Sequence, residues 1–522
     1  MNTQPALPYP LLEPMLLADH MRAMDQQAVR LGFSVRSLME NAAQATVAYL
    51  VPLLAPGSRV VVCVGQGNNG GDGYAVARLL SQMGHVVTVV EQGLPTGVDS
   101  RANRDAWLPL GITLDAGIDP LACRQALAQA QILVDALFGT GLNRPLADSW
   151  QTMVGWLNAS PAHIKLAVDV PSGVDADTGQ IWGAAVRCTH TVTFQAAKPG
   201  LYLYPGRELA GEIHLADIGL PPLPLDHPHG PHPWRLTASF AGALLPQRPA
   251  WGHKGTFGHV LVAGGKSGMG GAVLLAALGA LKTGSGLVSA AVPAALHNAF
   301  LAAAPEIMTI CPAQGSTQYW EASQGEDLLG AAQDKQAWVL GCGLGRRAET
   351  QALIPWVVEA WDKPLVLDAD GLYALQPNML NRRRGPTVLT PHPGEMARLS
   401  GLSVLDIQAD RMGVARRFAQ AWNVVLVLKG SPTVVAAPDG QCFLNSTGDH
   451  GLATGGTGDV LAGMIGSLLA QGLEALPAAL LGVYLHGLSR DCQREAGISA
   501  PFFTARDLIE GINLALQRLG AS

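Results

Sequence analysis

Two α/β domains, each built on a largely parallel β-sheet, are what this sequence predicts, and three observations predict them. The chain has 522 residues, more than one ordinary hydrophobic core covers. Short β-rich runs alternate with helical patterns on both sides of a single interruption. That interruption, Pro221-Pro-Leu-Pro-Leu-Asp-His-Pro-His-Gly-Pro-His-Pro233, holds too many prolines for a helix or sheet interior and reads as a stiff linker. The domains should therefore cover residues 1–222 and 235–522.

Composition narrows the function classes. Hydrophobic residues make up 48% and charged residues only 14%, which suits buried sheets rather than disorder. A net charge of −6 lacks the basic footprint of a nucleic-acid binder. The seven cysteines form no CxxC pair, so neither a disulfide framework nor a zinc site is expected, and a reducing compartment follows. The N-terminal MNTQPALPYPLLEPM has no basic stretch ahead of its apolar residues, and apolar runs such as 476–485 are too short for a bilayer. A soluble, cytoplasmic protein without nucleic-acid or membrane partners is the expectation; a homo-oligomer is compatible with it. His227, His229 and His232, with Asp226, are ligand types for a metal, but a solvated linker has little to fix their geometry.

In the first domain, residues 19–50 read as mostly helix. Residues 59–64 form a β-rich run, followed by a Gly loop and then helical spacing over 74–82. Further strands are expected at 85–90, 131–135 and 165–170. Gly65, Gly67 and Gly70 fit GxGxxG, with Glu91 about 20 residues on, as in a dinucleotide fingerprint. Asn68, Asn69 and Asp72 are unusual in such a turn, because they offer oxygens to a cation or a ligand hydroxyl. Polar strand ends recur at Asp135-Ala-Leu-Phe-Gly-Thr-Gly141, Asp169-Val-Pro-Ser172-Gly-Val-Asp175 and Phe194-Gln-Ala-Ala-Lys198-Pro-Gly200. Any one aspartate could simply cap a turn. In a parallel sheet, however, such loops converge beyond the strands' carboxyl ends, where ligands sit.

GNNGGDG, VDALFGTGL, VDVPSGVD and FQAAKPG together resemble the NAD(P)H-hydrate epimerase family over nearly all of residues 19–219. The resemblance implies a Rossmann-like domain in which Asn69, Asp135 and Ser172 hold a potassium ion. It also implies that Asn68, Asn69, Gly70, Gly71 and Asp72, Gly139, Thr140, Gly141, Leu142, Asn143, Arg144 and Pro145, and Asp169 surround the hydrated dinucleotide. Asp169 and Lys198 are the candidate proton-handling pair.

In the second domain, strands are expected at 259–263, 337–341, 364–368, 387–390 and 424–428, with a helix over 272–281. Gly264-Gly-Lys-Ser267 is not a P-loop, since GxxxxGK[ST] would need glycine at Val260. Other Gly turns open at Gly268-Met-Gly-Gly-Ala272 and Gly341-Cys-Gly343-Leu-Gly345. Polar strand ends follow at Asp368-Ala-Asp370, Thr390-Pro-His392-Pro-Gly-Glu395 and Lys429-Gly-Ser-Pro-Thr433. The richest motif is Thr454-Gly-Gly-Thr-Gly-Asp459, running into an apolar helix over 460–469. Converging backbone N–H groups and a helix N-terminus make an anion hole there, with Asp459 at its lip to take a substrate hydroxyl's proton. Lys429 stands where it would meet phosphate, and His392 lies between backbone-restricting prolines.

TPHPGEM and GGTGDVLAG, with these turns, resemble the ADP- or ATP-dependent NAD(P)H-hydrate dehydratases of the ribokinase-like group over residues 244–519. The resemblance implies that Ala272, Gly343, His392 and Asp459 contact the hydrate. Lys429, Gly430, Ser431, Pro432, Thr433 and Gly458 would contact the adenine nucleotide, and magnesium would neutralise its charge. Two residues depart from the family pattern: Cys342 where proline is expected, and Tyr373 where asparagine is usual. The combined expectation is a repair enzyme for hydrated NADH and NADPH, which epimerises the R and S hydrates and dehydrates the S form at the expense of ADP or ATP. A vitamin or sugar kinase of the same fold, joined to a ligand-binding Rossmann-like domain, is the alternative.

Overall fold

The computed structural model describes residues 7–221, 232–313, 315–376, 379–380 and 383–521. The chain forms two compact units, one from Pro14 to Pro233 and one that joins residues 7–13 to Trp234–Ser522. Most of the proline-rich stretch read as a linker, including His227 and His229, lies outside the described residues.

The first unit carries seven parallel strands: β1 (Arg59–Val64), β2 (Val86–Glu91), β3 (Ile112–Asp115), β4 (Ile132–Ala136), β5 (Ile164–Val168), β6 (His190–Phe194) and β7 (Glu212–Ala216). Their order across the sheet is β3-β2-β1-β4-β5-β6-β7. The chain thus reverses direction across the sheet between β1 and β4, and the crevice beyond their carboxyl ends is where this topology binds ligands. Helices α1 (Ala18–Arg30), α2 (Val35–Leu50) and α3 (Asn68–Gln82) stand beside it. The single helical stretch expected over 19–50 is broken at Gly32, whose φ of +91° ends α1. Val60, Val62 and Val64 point to one face, with Tyr74 and Leu80 of α3, while Val61 and Cys63 point to the other. A strand buried on both faces reads as an unbroken apolar run, as Arg59–Val64 does.

The second unit is built on an eleven-stranded sheet. Its parallel centre contains β8 (His259–Ala263), β9 (Leu287–Ala291), β10 (Met308–Ile310), β11 (Ala337–Leu340), β12 (Leu365–Leu367), β13 (Thr387–Leu389) and β14 (Val425–Leu428), in the order β14-β13-β12-β11-β8-β9-β10. β15 (Thr433–Ala436) and β16 (Cys442–Asn445) add on antiparallel. Here the reversal falls between β8 and β11. Helices α4 (Gly270–Lys282), α5 (Pro393–Ser400), α6 (Arg411–Trp422) and α7 (Thr457–Ala470) are the ones that bear on the site. α7 is buried along nearly its whole length against α4 and the sheet, which explains its apolar character on all sides.

Residues 7–13 were expected with the first domain, yet they pack in the second. Leu12 joins that unit's core with Leu236 and Phe240, and the Tyr9 hydroxyl donates to Gln441 Oε1 at 2.6 Å. Arg235 pairs with Glu13, and Thr237 Oγ1 donates to the Leu11 carbonyl at 2.5 Å. Among the described residues, no helix is long and apolar enough to cross a membrane.

Candidate active sites

In the first unit, a cavity of about 940 Å³ opens at the reversal point. Asn68, Asn69 and Asp72 line it from the first turns of α3. Helix geometry therefore begins inside the Gly loop, six residues before the sequence pattern shows it. Gly70 permits this: a Cβ there would lie 1.9 Å from the Gly65 carbonyl oxygen. The loop after β4 contributes Gly139, Thr140, Gly141, Leu142 and Arg144, and the end of β5 contributes Asp169. Gly70 and Gly71 sit behind the wall as buried spacers, and Asn143 and Pro145 do not line the cavity.

Asp169 and Lys198 meet: Nζ lies 2.8 Å from Oδ1, and Lys198 is fully buried. The same Nζ donates to the Phe194 carbonyl at 2.6 Å, and Thr193 Oγ1 donates to Asp169 Oδ1 at 3.1 Å. Asp169 holds a left-handed backbone (φ +69°), a cost of about 1 kcal/mol or more for a non-glycine residue that clusters at functional positions. Asp72 is pushed well above the usual carboxylate range by burial, then by Asp169 and Asp25. The sequence reading missed Asp25, together with the wall that α1 and α2 supply through residues such as Met21, Leu38 and Met39. The available signal was one helical face, Arg22, Asp25, Gln26 and Val29, on which polar and apolar residues mix.

Two other acids turn out to serve the scaffold. Asp175 Oδ1 accepts from the Asp177 and Thr178 amides and the Thr178 hydroxyl, holding a turn. Glu91 takes Arg104 through both oxygens at 2.8 Å and the Tyr74 hydroxyl at 2.5 Å, so it is sealed from the ribose role its spacing implied.

For a monovalent cation, Asp135 and Ser172 are in contact: Ser172 Oγ donates to Oδ1 at 2.6 Å and its amide to Oδ2 at 2.8 Å. Asp135 is fully buried, and no cationic side chain pairs with it among the described residues. Burial pushes its carboxyl up to about 6 against the pull of the Ser172 bonds. Asn69 stands at the Gly139 loop, with its buried Nδ2 lacking a partner. A buried carboxylate with no cationic partner among the described residues, in contact with the Ser172 hydroxyl, fits a hard cation.

In the second unit, Asp459 is the third residue of α7, whose N-cap is Gly456 (φ +96°), without a side-chain cap. The Cys342 thiol hydrogen-bonds Asp459 instead. Burial, and then Asp368, push the Asp459 carboxyl up to about 6, opposed by Cys342 and Lys429. Cys342, Asp368 and Asp459 bring ligand atoms within 4.8 Å of one another. Lys429 Nζ lies 2.7 Å from Asp368 Oδ1 and 4.0 Å from Glu395 Oε2, and a Cβ on Gly458 would sit 3.2 Å from it. Burial pulls the Lys429 ammonium down, but Asp368 and Glu395 outweigh it and raise it overall. Thr390 Oγ1 also donates to Asp368 Oδ1, at 2.7 Å.

Gly343 and Ala272 adjoin, since a Cβ on Gly343 would reach 3.0 Å from that of Ala272. His392 caps α5: Nδ1 accepts from the Gly394 and Glu395 amides at 3.0 and 3.3 Å, and Nε2 of the half-exposed ring lies 3.4 Å from Glu395 Oε1. Asp370 ties two loops, accepting from the Gly345 amide and from Arg346 Nε. Tyr373 lies on the rim under the guanidiniums of Arg346 and Arg398. The loop from Lys429 to Thr433, which joins β14 to β15, is organised by buried Arg411, a residue the sequence reading missed. Its Nη2 donates to the carbonyls of Leu428, Lys429 and Pro432 at 3.0–3.2 Å.

Comparison with known proteins matches both halves. A family model described as YjeF-related protein N-terminus covers residues 35–200, and one described as NAD(P)H-hydrate dehydratase covers residues 260–512. A bifunctional NAD(P)H-hydrate repair enzyme Nnr of Moorella thermoacetica is 40% identical over 470 residues, 88% of each chain. The protein of that name from Escherichia coli is 34% identical over 96% of this chain and 93% of its own. A crystal structure of the ADP/ATP-dependent NAD(P)H-hydrate dehydratase from Bacillus subtilis, 33% identical, covers 54% of this chain and 97% of its own with a TM-score of 0.47. The chain belongs to the family of bifunctional NAD(P)H-hydrate repair enzymes.

Proposed function

We propose that this protein interconverts the R and S hydrates of NADH and NADPH in its first unit and dehydrates the S hydrate with ADP or ATP in its second. The observation that carries the reading is the pairing, in one chain, of the Asp169–Lys198 cavity with the Asp459–Lys429 cluster. Family membership over both halves supports it and favours it over the vitamin or sugar kinase.

In the second unit, Asp459 takes the proton of the substrate hydroxyl as its oxygen attacks the terminal phosphoryl group of the nucleotide. Lys429 and the α7 N-terminus at Gly458 stabilise the charge that develops. Phosphate is a far better leaving group than hydroxide, so its departure restores the ring double bond. Ala272, Gly343 and His392 would hold the hydrate, and the 429–433 loop the nucleotide. Both bonds to Asp368 fall on Oδ1, which leaves Oδ2 as the oxygen donor suited to Mg²⁺. When bound, that ion would neutralise phosphate charge.

In the first unit, Asp169, oriented by Lys198, handles the proton of the carbinol, while Asn68, Asp72 and the 139–145 loop grip the dinucleotide. Asn69, Asp135 and Ser172 would hold K⁺, which supplies a fixed positive charge beside the cavity. Seven free thiols suit a cytoplasmic setting. Purified protein given NADH hydrate with ADP or ATP should regenerate NADH absorbance and release phosphate. A phosphorylated product that persists would overturn the dehydratase reading in favour of the kinase.

A further inference from the structure

We infer that Asp25 of α1 is a proton donor of the epimerisation, working with Asp169 in the cavity that both line. The inference rests on assigning this cavity as the epimerisation site. Asp25 lines the 940 Å³ cavity, as Asp72 and Asp169 do, yet it belongs to a helix outside the sheet's loop cluster. Asp72 and Asp169 both interact electrostatically with Asp25, as does the buried Lys198. The other charged groups lining the cavity are Arg22 and Arg30 of the same helix and Arg144 of the loop after β4.

The three carboxyls are not equivalent. Asp169 is the member ion-paired with Lys198, at 2.8 Å, and is placed to accept a proton. Asp72 is pushed well above the usual range by burial and by both other acids. Asp25 stands exposed to solvent on the cavity wall, and partial desolvation there and Asp169, with Lys198 opposing, push it up to about 6, so it can both give and regain a proton near neutrality.

The step balances without a redox partner. Asp25 gives its proton to the hydroxyl on the carbon next to the ring nitrogen. The C–O bond breaks with its electron pair leaving on water, and the nitrogen lone pair forms a C=N bond. Water then adds to the opposite face, the C=N pair returns to nitrogen, and the surplus proton passes to Asp169. Proton exchange between the two carboxyls through cavity water resets the site.

The test uses the full-length protein with R hydrate and no nucleotide, following S hydrate by chromatography. Asp25→Asn should lower kcat by about 100-fold or more with little change in KM. The fall of wild-type activity as pH rises above about 6 should disappear in this variant. Asp25→Glu, which restores a carboxyl, should recover much of the rate, and nucleotide-dependent dehydration of S hydrate by the same samples should be unchanged. Asp25→Asn that raises only KM, or that keeps both rate and pH profile, overturns the role of Asp25. Asp169→Asn separates the two levels: if it is impaired while Asp25→Asn is not, only the role of Asp25 falls. If both variants keep wild-type epimerisation, the cavity assignment falls with it.

Discussion

Asp459 shows how much a single residue's surroundings decide. Its carboxyl is raised to about 6 by burial and by Asp368, so it is a base only above that value. Dehydration should therefore fall as pH drops through about 6 and level off above it, a profile readable from initial rates. Asp459→Asn keeps the size but removes the base, and turnover should drop about 100-fold while nucleotide binding persists. Asp135 is the matching case in the first unit: it supplies the only formal charge among Asn69, Asp135 and Ser172. Asp135→Ala should abolish any potassium dependence of epimerisation, measured by titrating K⁺ against rate, and leave dehydration of pure S hydrate untouched. Which aspartates face a cavity was only partly legible in the sequence. Asp169 follows a strand and Asp459 opens a helix, both in Gly-rich company, but Asp175 and Asp370 stand in similar turns and their carboxylates are held by neighbouring amides and, for Asp370, by Arg346. Asp25 escaped because a helix face carries no motif; only the fold turns it toward the cavity.

At the scale of elements, strands buried on both faces were read well: Arg59–Val64 and His259–Ala263 fall where the apolar runs do. The strands Met308–Ile310 and Cys442–Asn445 were not marked from the sequence, and pairing with their neighbours in the sheet places them. The start of α3 was hidden because glycines read as a turn, whereas here they serve close packing against Gly65. The loop from Lys429 to Thr433 was legible as a phosphate-facing turn, but its organiser was not. Arg411 lies on α6, almost 20 residues earlier in the chain, and its guanidinium gathers the carbonyls of Leu428, Lys429 and Pro432. Arg411→Met should keep the aliphatic packing but free that loop, costing about 1–3 kcal/mol of order. The expected outcome is a KM for nucleotide raised about tenfold or more in steady-state kinetics, with epimerisation unchanged.

For the whole molecule, two units with separate cores should act separately. A fragment of residues 14–221 should fold and epimerise without nucleotide, which circular dichroism and the R-to-S assay would check. An insoluble or inert fragment beside an active full-length protein would count against this. The proline-rich stretch was read as the division between the domains, and the two compact units divide at its end, after Pro233; the early segment was not legible, because nothing in the sequence of residues 7–13 says which core its leucines enter. Leu12→Ala should lower the stability of the second unit alone by about 2–5 kcal/mol, so that calorimetry sees only the transition tied to loss of dehydration shift. That segment also sets a timetable for synthesis. Its partners Trp234, Arg235 and Gln441 leave the ribosome only after residues 14–233, a delay of about 10–45 s at typical elongation rates. Through that interval Leu12 has no native core to enter, so the nascent first unit must finish folding with an apolar tail waiting at its own beginning.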